Sequence, residues 1–78
     1  MPIKVILADD HSMIREGLKQ LLEIDGNIQV VGEAADGIEC LSLLKKVKAD
    51  VLLLDINMPK MNGLQVLVNI HQFQYLLI

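Results

Sequence analysis

Two apolar runs in this chain each end abruptly in acid, and that pattern constrains the fold more than any other feature. Ile3 to Ala8 is followed by Asp9 and Asp10, and Val51-Leu52-Leu53-Leu54 is followed by Asp55. A nearly continuous apolar run bounded in this way predicts a strand covered on both faces, as in parallel sheets, rather than one alternating between core and solvent. Lys4 is the single polar interruption. If the two strands are parallel neighbours, three carboxylates converge at one sheet edge, where their mutual repulsion requires a cation or wet surroundings.

The segments between the runs read as helices and a further strand. From Ser12 to Asp25, apolar residues at Met13, Ile14, Gly17, Leu18, Leu21 and Leu22 form a helical stripe, with Ser12 as its N-cap and Gly26-Asn27 as its stop. Ile28 to Ala35 is a β-branched strand pattern that turns at Asp36-Gly37. Ile38, Leu41 and Leu44 mark a second helix, and the Lys45-Lys46-Val47-Lys48 cluster suits its C-terminus. After Asp55, the loop from Ile56 to Asn62 leads into a helix starting at Gly63, with Leu64, Leu67, Val68 and His71 on one face.

The order βαβαβα implies a parallel, three-layer α/β sheet with right-handed crossovers. Such sheets bind ligands outside the carboxyl ends of their strands, where Asp9, Asp10 and Asp55 fall. Phe73 to Ile78 supports two readings: Tyr75 continues the helical stripe, or Tyr75-Leu76-Leu77-Ile78 begins a fourth strand.

A chain of 78 residues holds at most one domain. Its net charge of −3 and the absence of a basic stripe argue against nucleic acid as the direct ligand of this segment. Cys40 is the only cysteine, so an internal disulfide is excluded, and no Cys or His cluster has zinc spacing. No apolar run approaches the ~20 residues of a membrane span and no signal-peptide profile follows Met1, so a soluble cytoplasmic protein is expected. Hydrophobic residues make up 53% of this short sequence, which points to self-association.

The acidic residues suggest specific chemistry. Mg²⁺ prefers octahedral oxygen ligation and takes only one or two carboxylates from protein. Asp10, Asp55 and the backbone carbonyl of Asn57 can supply such a set. With the charge neutralised, Asp55 is placed to act as a nucleophile toward a phosphoryl group, and the resulting aspartyl phosphate is readily hydrolysed, which suits a transient signal. Pro59 fixes its own φ and pushes Met58 away from helical geometry, so the turn after Asp55 is stiff. Gly63 is expected to permit the reversal into the next helix.

Each residue also has a bland reading. A lone strand-end aspartate is usually a cap or a solubilising loop residue, but Asp9-Asp10 combined with Asp55 and Met58-Pro59 reverses that weighting. His11 and His71 are read as structural, the first beside the site at the start of a helix, the second on a half-buried helix face. Cys40 is expected to be a buried, inert thiol, and Met13, Met58 and Met61 loop and core fillers. An Asp-x-Asp phosphatase motif is disfavoured, since Asn57 stands where its acid/base carboxylate belongs.

Taken together, Asp9-Asp10-His11, Leu54-Asp55-Ile56-Asn57-Met58-Pro59 and Met61-Asn62-Gly63-Leu64 resemble the receiver domain of two-component response regulators. The run from Asp9 through Arg15 to Leu18, with Val31-Gly32-Glu33-Ala34, is similar to the subfamily joined to a LuxR/NarL-type helix-turn-helix DNA-binding domain. The resemblance covers about Ile3 to Val68. It implies a flavodoxin-like (CheY-like) sheet of order 2-1-3-4-5, of which residues 1–78 hold the N-terminal part, and a signalling module rather than an enzyme. It further implies that Asp55 accepts phosphate from a sensor histidine kinase. Asp10 and Asp55 then bind Mg²⁺ directly, Asp9 helps through water, and Asn57 contributes its carbonyl.

The family's Ser/Thr ending strand four and Lys ending strand five have no counterpart here, and Lys60 is not a substitute. Without a complete fourth strand, the third is expected to expose one edge and to invite a homodimer or swapped assembly. The alternative to phosphoryl signalling is a unit that only folds or self-assembles, because transition-state charge goes unmatched. Any promoter contact is expected to belong to a segment outside these residues.

Overall fold

In the computed structural model, residues 2–68 are described in full and residues 74–77 by their backbone. Six elements follow in the expected order: β1 (Ile3–Ala8), α1 (Ser12–Leu22), β2 (Ile28–Ala34), α2 (Gly37–Lys46), β3 (Val51–Leu54) and α3 (Gly63–Val68). A seventh, β4 (Gln74–Leu77), resolves the two readings of the last segment in favour of a strand. The sheet order is β2-β1-β3-β4 with every pair parallel.

β4 corrects one expectation. It runs beside β3 from Val51↔Gln74 to Leu54↔Leu77, so the edge of β3 expected to lie open is covered. The unpaired N–H and C=O groups along β3 are a template for any extended apolar segment, and Tyr75-Leu76-Leu77 supplies one from the same chain.

Strand alternation divides the interior into two faces. Ile6, Ala8, Leu52 and Leu54 pack with Ala34, Cys40, Met58 and Val66, and Leu41, Leu43, Leu44 and Leu67 close over them, so α2 and α3 cover this face. Val5 and Leu7 point the other way and are also buried. α1 packs on β1 and β2 from that opposite face, as a right-handed β1-to-β2 crossover requires.

The helices are rotated relative to their apolar stripes. On α1, half-buried Arg15, Leu18, Lys19 and Leu22 face the sheet, while Met13, read as a filler, is 88% exposed and Ile14 and Leu21 are exposed too. On α2 the inward set is Gly37, Cys40, Leu41, Leu43 and Leu44, with Ile38 exposed. On α3 it is Gly63, Val66 and Leu67, with Leu64 and Val68 outward. His71 lies outside the described residues.

Two glycines explain this rotation for α2 and α3. A Cβ on Gly37 would collide with the Met61 carbonyl, and one on Gly63 with the Asp55 carbonyl. Each helix therefore turns its glycine inward, and the next inward residues follow three and four positions later. Gly63 serves by lacking a side chain and not by permitting a reversal, since among the described glycines only Gly26 has positive φ, 79°.

The caps refine the ends. His11, not Ser12, is the N-cap of α1, because Asp9 Oδ1 accepts the His11 N–H at 2.8 Å and starts the helix one residue earlier. α1 stops at Leu22, short of Asp25, where the Glu23 carboxylate accepts from the Val30 N–H of β2. At α2, Asp36 accepts the Glu39 N–H at 2.8 Å, which holds its carboxyl below the usual range. Asn62 and Gln65 each accept the other's backbone N–H, a reciprocal cap at α3.

Cys40 is fully buried, and burial pushes its thiol up to about 11. Thiol reagents at pH 8 are therefore expected to modify it only as fast as the domain opens. The check is alkylation followed by mass spectrometry with and without urea; rapid labelling in buffer would contradict this packing.

Candidate functional site

The site is a product of strand register. Ala8 of β1 pairs with Leu54 of β3, so the next residues, Asp9 and Asp55, leave the sheet side by side. Their backbones are tied down as well: Asp9 N–H donates to the Ala34 carbonyl at 2.9 Å and Asp55 N–H to the Ala8 carbonyl at 2.8 Å. The carboxylates thus emerge from backbone that is hydrogen-bonded across the sheet.

Asp9, Asp10 and Asp55, with His11, each place one potential ligand atom within 4.8 Å of all the others. Asp9 is buried, Asp55 half-buried and Asp10 more open, so the cluster grades from core to solvent. Asp55 Oδ1 accepts the Asn57 N–H at 3.1 Å, fixing the first turn of the following loop. Asn57 itself is exposed on that loop. The stiffness expected from Pro59 extends to Lys60, whose φ of 68° is closed by the Met61 N–H donating to the Pro59 carbonyl.

The cations nearby are committed elsewhere, with one exception. Lys60 pairs with Asp36 at 3.6 Å, which agrees with leaving it out of the site. Arg15 donates to the Asp9 backbone carbonyl and pairs through Nε with Glu33 at 3.1 Å, so it braces the first acidic turn against β2. Lys19 joins the same Glu33 at 3.6 Å. His11 is the exception: its Nδ1 lies 3.1 Å from Asp9, 3.0 Å from Asp10 and 3.8 Å from Asp55.

The hydrogen bond that the protonated ring donates to the Asp9 carboxylate, then the charge of Asp10, raise the His11 pKa above its ordinary value. Sequence reasoning placed His11 beside the site as a structural residue, and the structure brings its ring among the three carboxylates. The signal was present in its adjacency to Asp9-Asp10, two carboxylates that attract an imidazolium.

The arrangement can hold a hard cation. Three carboxylates from two strand ends, without a Lys or Arg side chain among them in the described residues, offer the oxygen donors that Mg²⁺ takes. Asp55 lies between Asp9 and Asp10 in exposure and is anchored by the loop that follows it. Among the described residues, no helix is long and apolar enough to cross a membrane.

Known proteins share this architecture. The model for the response regulator receiver domain matches residues 5–77. The nitrate/nitrite response regulator protein NarL of Escherichia coli K12 is 47% identical over 66 residues, 85% of this chain and 31% of that protein. The transcriptional regulatory protein YhcZ of Bacillus subtilis is 43% identical over 63 residues, 81% of this chain and 29% of its own length. Among solved structures, the signal receiver domain of the response regulator NarL from Mycobacterium tuberculosis superposes with a TM-score of 0.83 at 40% identity, covering 97% of this chain and 63% of that one. The chain spans about a third of the length of these curated relatives. By the match over residues 5–77 the chain belongs to the response regulator receiver domain family, with similarity to the corresponding part of the NarL proteins.

Proposed function

We propose that this receiver accepts a phosphoryl group on Asp55 from a sensor histidine kinase in the cytoplasm, and that it does so with Mg²⁺. The observation that carries the proposal is the convergence of Asp9, Asp10 and Asp55 at one strand edge. Asp10 and Asp55 would hold the ion directly, Asp9 through water, and Asn57 by its backbone carbonyl. When bound, Mg²⁺ supplies the positive charge that lets two anions approach. One Asp55 oxygen attacks the phosphorus of a phosphohistidine, an O–P bond forms as the P–N bond breaks, and the electron pair leaves on the imidazole. Asp9 and Arg15 hold the Asp10 turn in place while this happens.

The regulatory output, transcription, belongs to a DNA-binding segment beyond residues 1–78, by analogy with NarL-type relatives. Phosphoryl acceptance is tested by incubating the chain with Mg²⁺ and a small acyl phosphate and measuring intact mass, beside Asp55→Asn. An adduct on the parent alone supports acceptance at Asp55. No adduct on a folded parent would leave the second reading, a unit that folds and assembles without productive phosphorylation.

Self-association is part of the proposal, with its basis moved from the covered β3 edge to the apolar outer face of α1. Met13, Ile14, Leu21 and nearby Ile24 are all exposed. A homodimer is expected by light scattering, weakened by Leu21→Lys. A monomer across a wide concentration range would count against it.

A further inference from the structure

Glu33 faces α1 only because β2 carries an extra residue. Val5 pairs with Val30 and Ile6 with Gly32, so the register between β1 and β2 skips Val31. Residues three apart on a regular strand point to opposite faces of its sheet. Here Val30 and Glu33 pair with Val5 and Leu7, which share the face that α1 covers, while Val31 and Ala34 join the core on the other face. A bulge of this kind re-aims a side chain, and here the side chain is a carboxylate.

On the α1 face, the Glu33 carboxylate meets Arg15 Nε at 3.1 Å and Lys19 Nζ at 3.6 Å, so two cations one helical turn apart hold it. A second nitrogen of the same guanidinium, Nη1, donates to the Asp9 backbone carbonyl. One planar group thus bridges β2 to the peptide that joins Asp9 to Asp10. A long, rotatable side chain is poorly held by one bond to a neutral carbonyl, and the charge-assisted bond to Glu33 fixes its rotamer. We infer that Glu33 is a positioning residue of the acidic site: acting through Arg15, it sets the peptide that carries the Asp10 carboxylate toward Mg²⁺. This rests on the metal-site reading proposed above and extends that site to β2, a strand outside the proposed ligand set.

The test is amide hydrogen exchange by NMR on the metal-free full chain, comparing the parent with Glu33→Ala, Glu33→Gln and Arg15→Ala. It is followed by the Mg²⁺ concentration that gives half-maximal phosphoryl adduct from a small acyl phosphate. In Glu33→Ala, exchange at the His11 N–H, which Asp9 Oδ1 holds, is expected to accelerate about tenfold. The Cys40 N–H, bonded to the Asp36 carbonyl at 3.0 Å on the other side of the sheet, should keep its parent rate. The half-maximal Mg²⁺ concentration is expected to rise about tenfold, with adduct recovered at saturating Mg²⁺. Glu33→Gln keeps an oxygen for Arg15 Nε and should restore most of both effects. Adding Glu33→Ala to Arg15→Ala should change neither readout further. Unchanged His11 exchange in Glu33→Ala would overturn the inference, and so would equal acceleration at Cys40, which would make Glu33 a residue of global stability. A parent-like Mg²⁺ requirement beside a loosened turn would overturn it too. Faster His11 exchange in a chain whose parent gives no adduct at any Mg²⁺ concentration would defeat the proposed phosphoryl acceptance and leave the hold of Glu33 on the acidic turn standing.

Discussion

Gly63→Ala is expected to cost the fold about 3 kcal/mol or more, a large part of the roughly 4–12 kcal/mol available to a chain of this length. The added methyl would meet the Asp55 carbonyl oxygen, with the Ile56 Cα and Asp55 carbonyl carbon at 3.0 and 3.1 Å. These are backbone atoms, and they cannot rotate away as a side chain would. Relief requires α3 to lift off the sheet, which exposes Val66 and Met58 and breaks the 2.9 Å hydrogen bond from the Gly63 N–H to the Ile56 carbonyl. Urea unfolding followed by circular dichroism reads the effect as a fall in midpoint. Gly17→Ala is the control: nothing lies within 4 Å of that position on α1, so it should gain about 0.5–1 kcal/mol from helix propensity. Equal midpoints for parent and Gly63→Ala would mean that the helix does not press on the Asp55 loop.

Chelation is expected to have an effect of similar size, confined to the acidic edge. An ion bound only by the folded state stabilises by about 2.7 kcal/mol at a hundredfold excess over its Kd. For a domain this small that corresponds to a Tm shift on the order of 10–20 °C. Parent chain moved from excess Mg²⁺ into EDTA should lose that increment. Asp55→Asn removes one charged donor, so it should lose most of the Mg²⁺-dependent increment and all phosphoryl adduct. The measurement is a pair of thermal melts for each protein, with and without Mg²⁺. An undiminished Mg²⁺ shift in Asp55→Asn would place the ion somewhere other than between these strands.

Much of this was legible from residue order, for physical reasons that also explain the misses. β1 and β3 are covered on both faces, so their apolar runs are continuous and their ends are marked by charge; the acidic edge followed directly. Helix existence was clear and helix rotation was not, since the apolar residues of α1 and α3 cover more than half a turn and periodicity does not say which part faces inward. Gly63 and Gly37 decide that for α3 and α2 through backbone contacts with Asp55 and Met61, which lie far from Gly37 in sequence or across a loop. The cap of α1 lies at His11 and not Ser12, because the Asp9 carboxylate accepts the His11 N–H and turns the chain one residue earlier. The last strand was ambiguous because four residues of Tyr75-Leu76-Leu77-Ile78 suit either period.

The pairing of Ala8 with Leu54 also makes the acidic edge sensitive to chain length. A side chain alternates between faces at every step along a strand, and each step advances about 3.3 Å. One residue inserted into or deleted from β3 would therefore do more than displace Asp55; it would send its carboxylate to the opposite face and put Leu54 or Ile56 beside Asp9. Substitutions can drift through these strands as long as they stay apolar, whereas a change in residue count cannot. The chemistry of the edge is written in spacing as much as in residue identity.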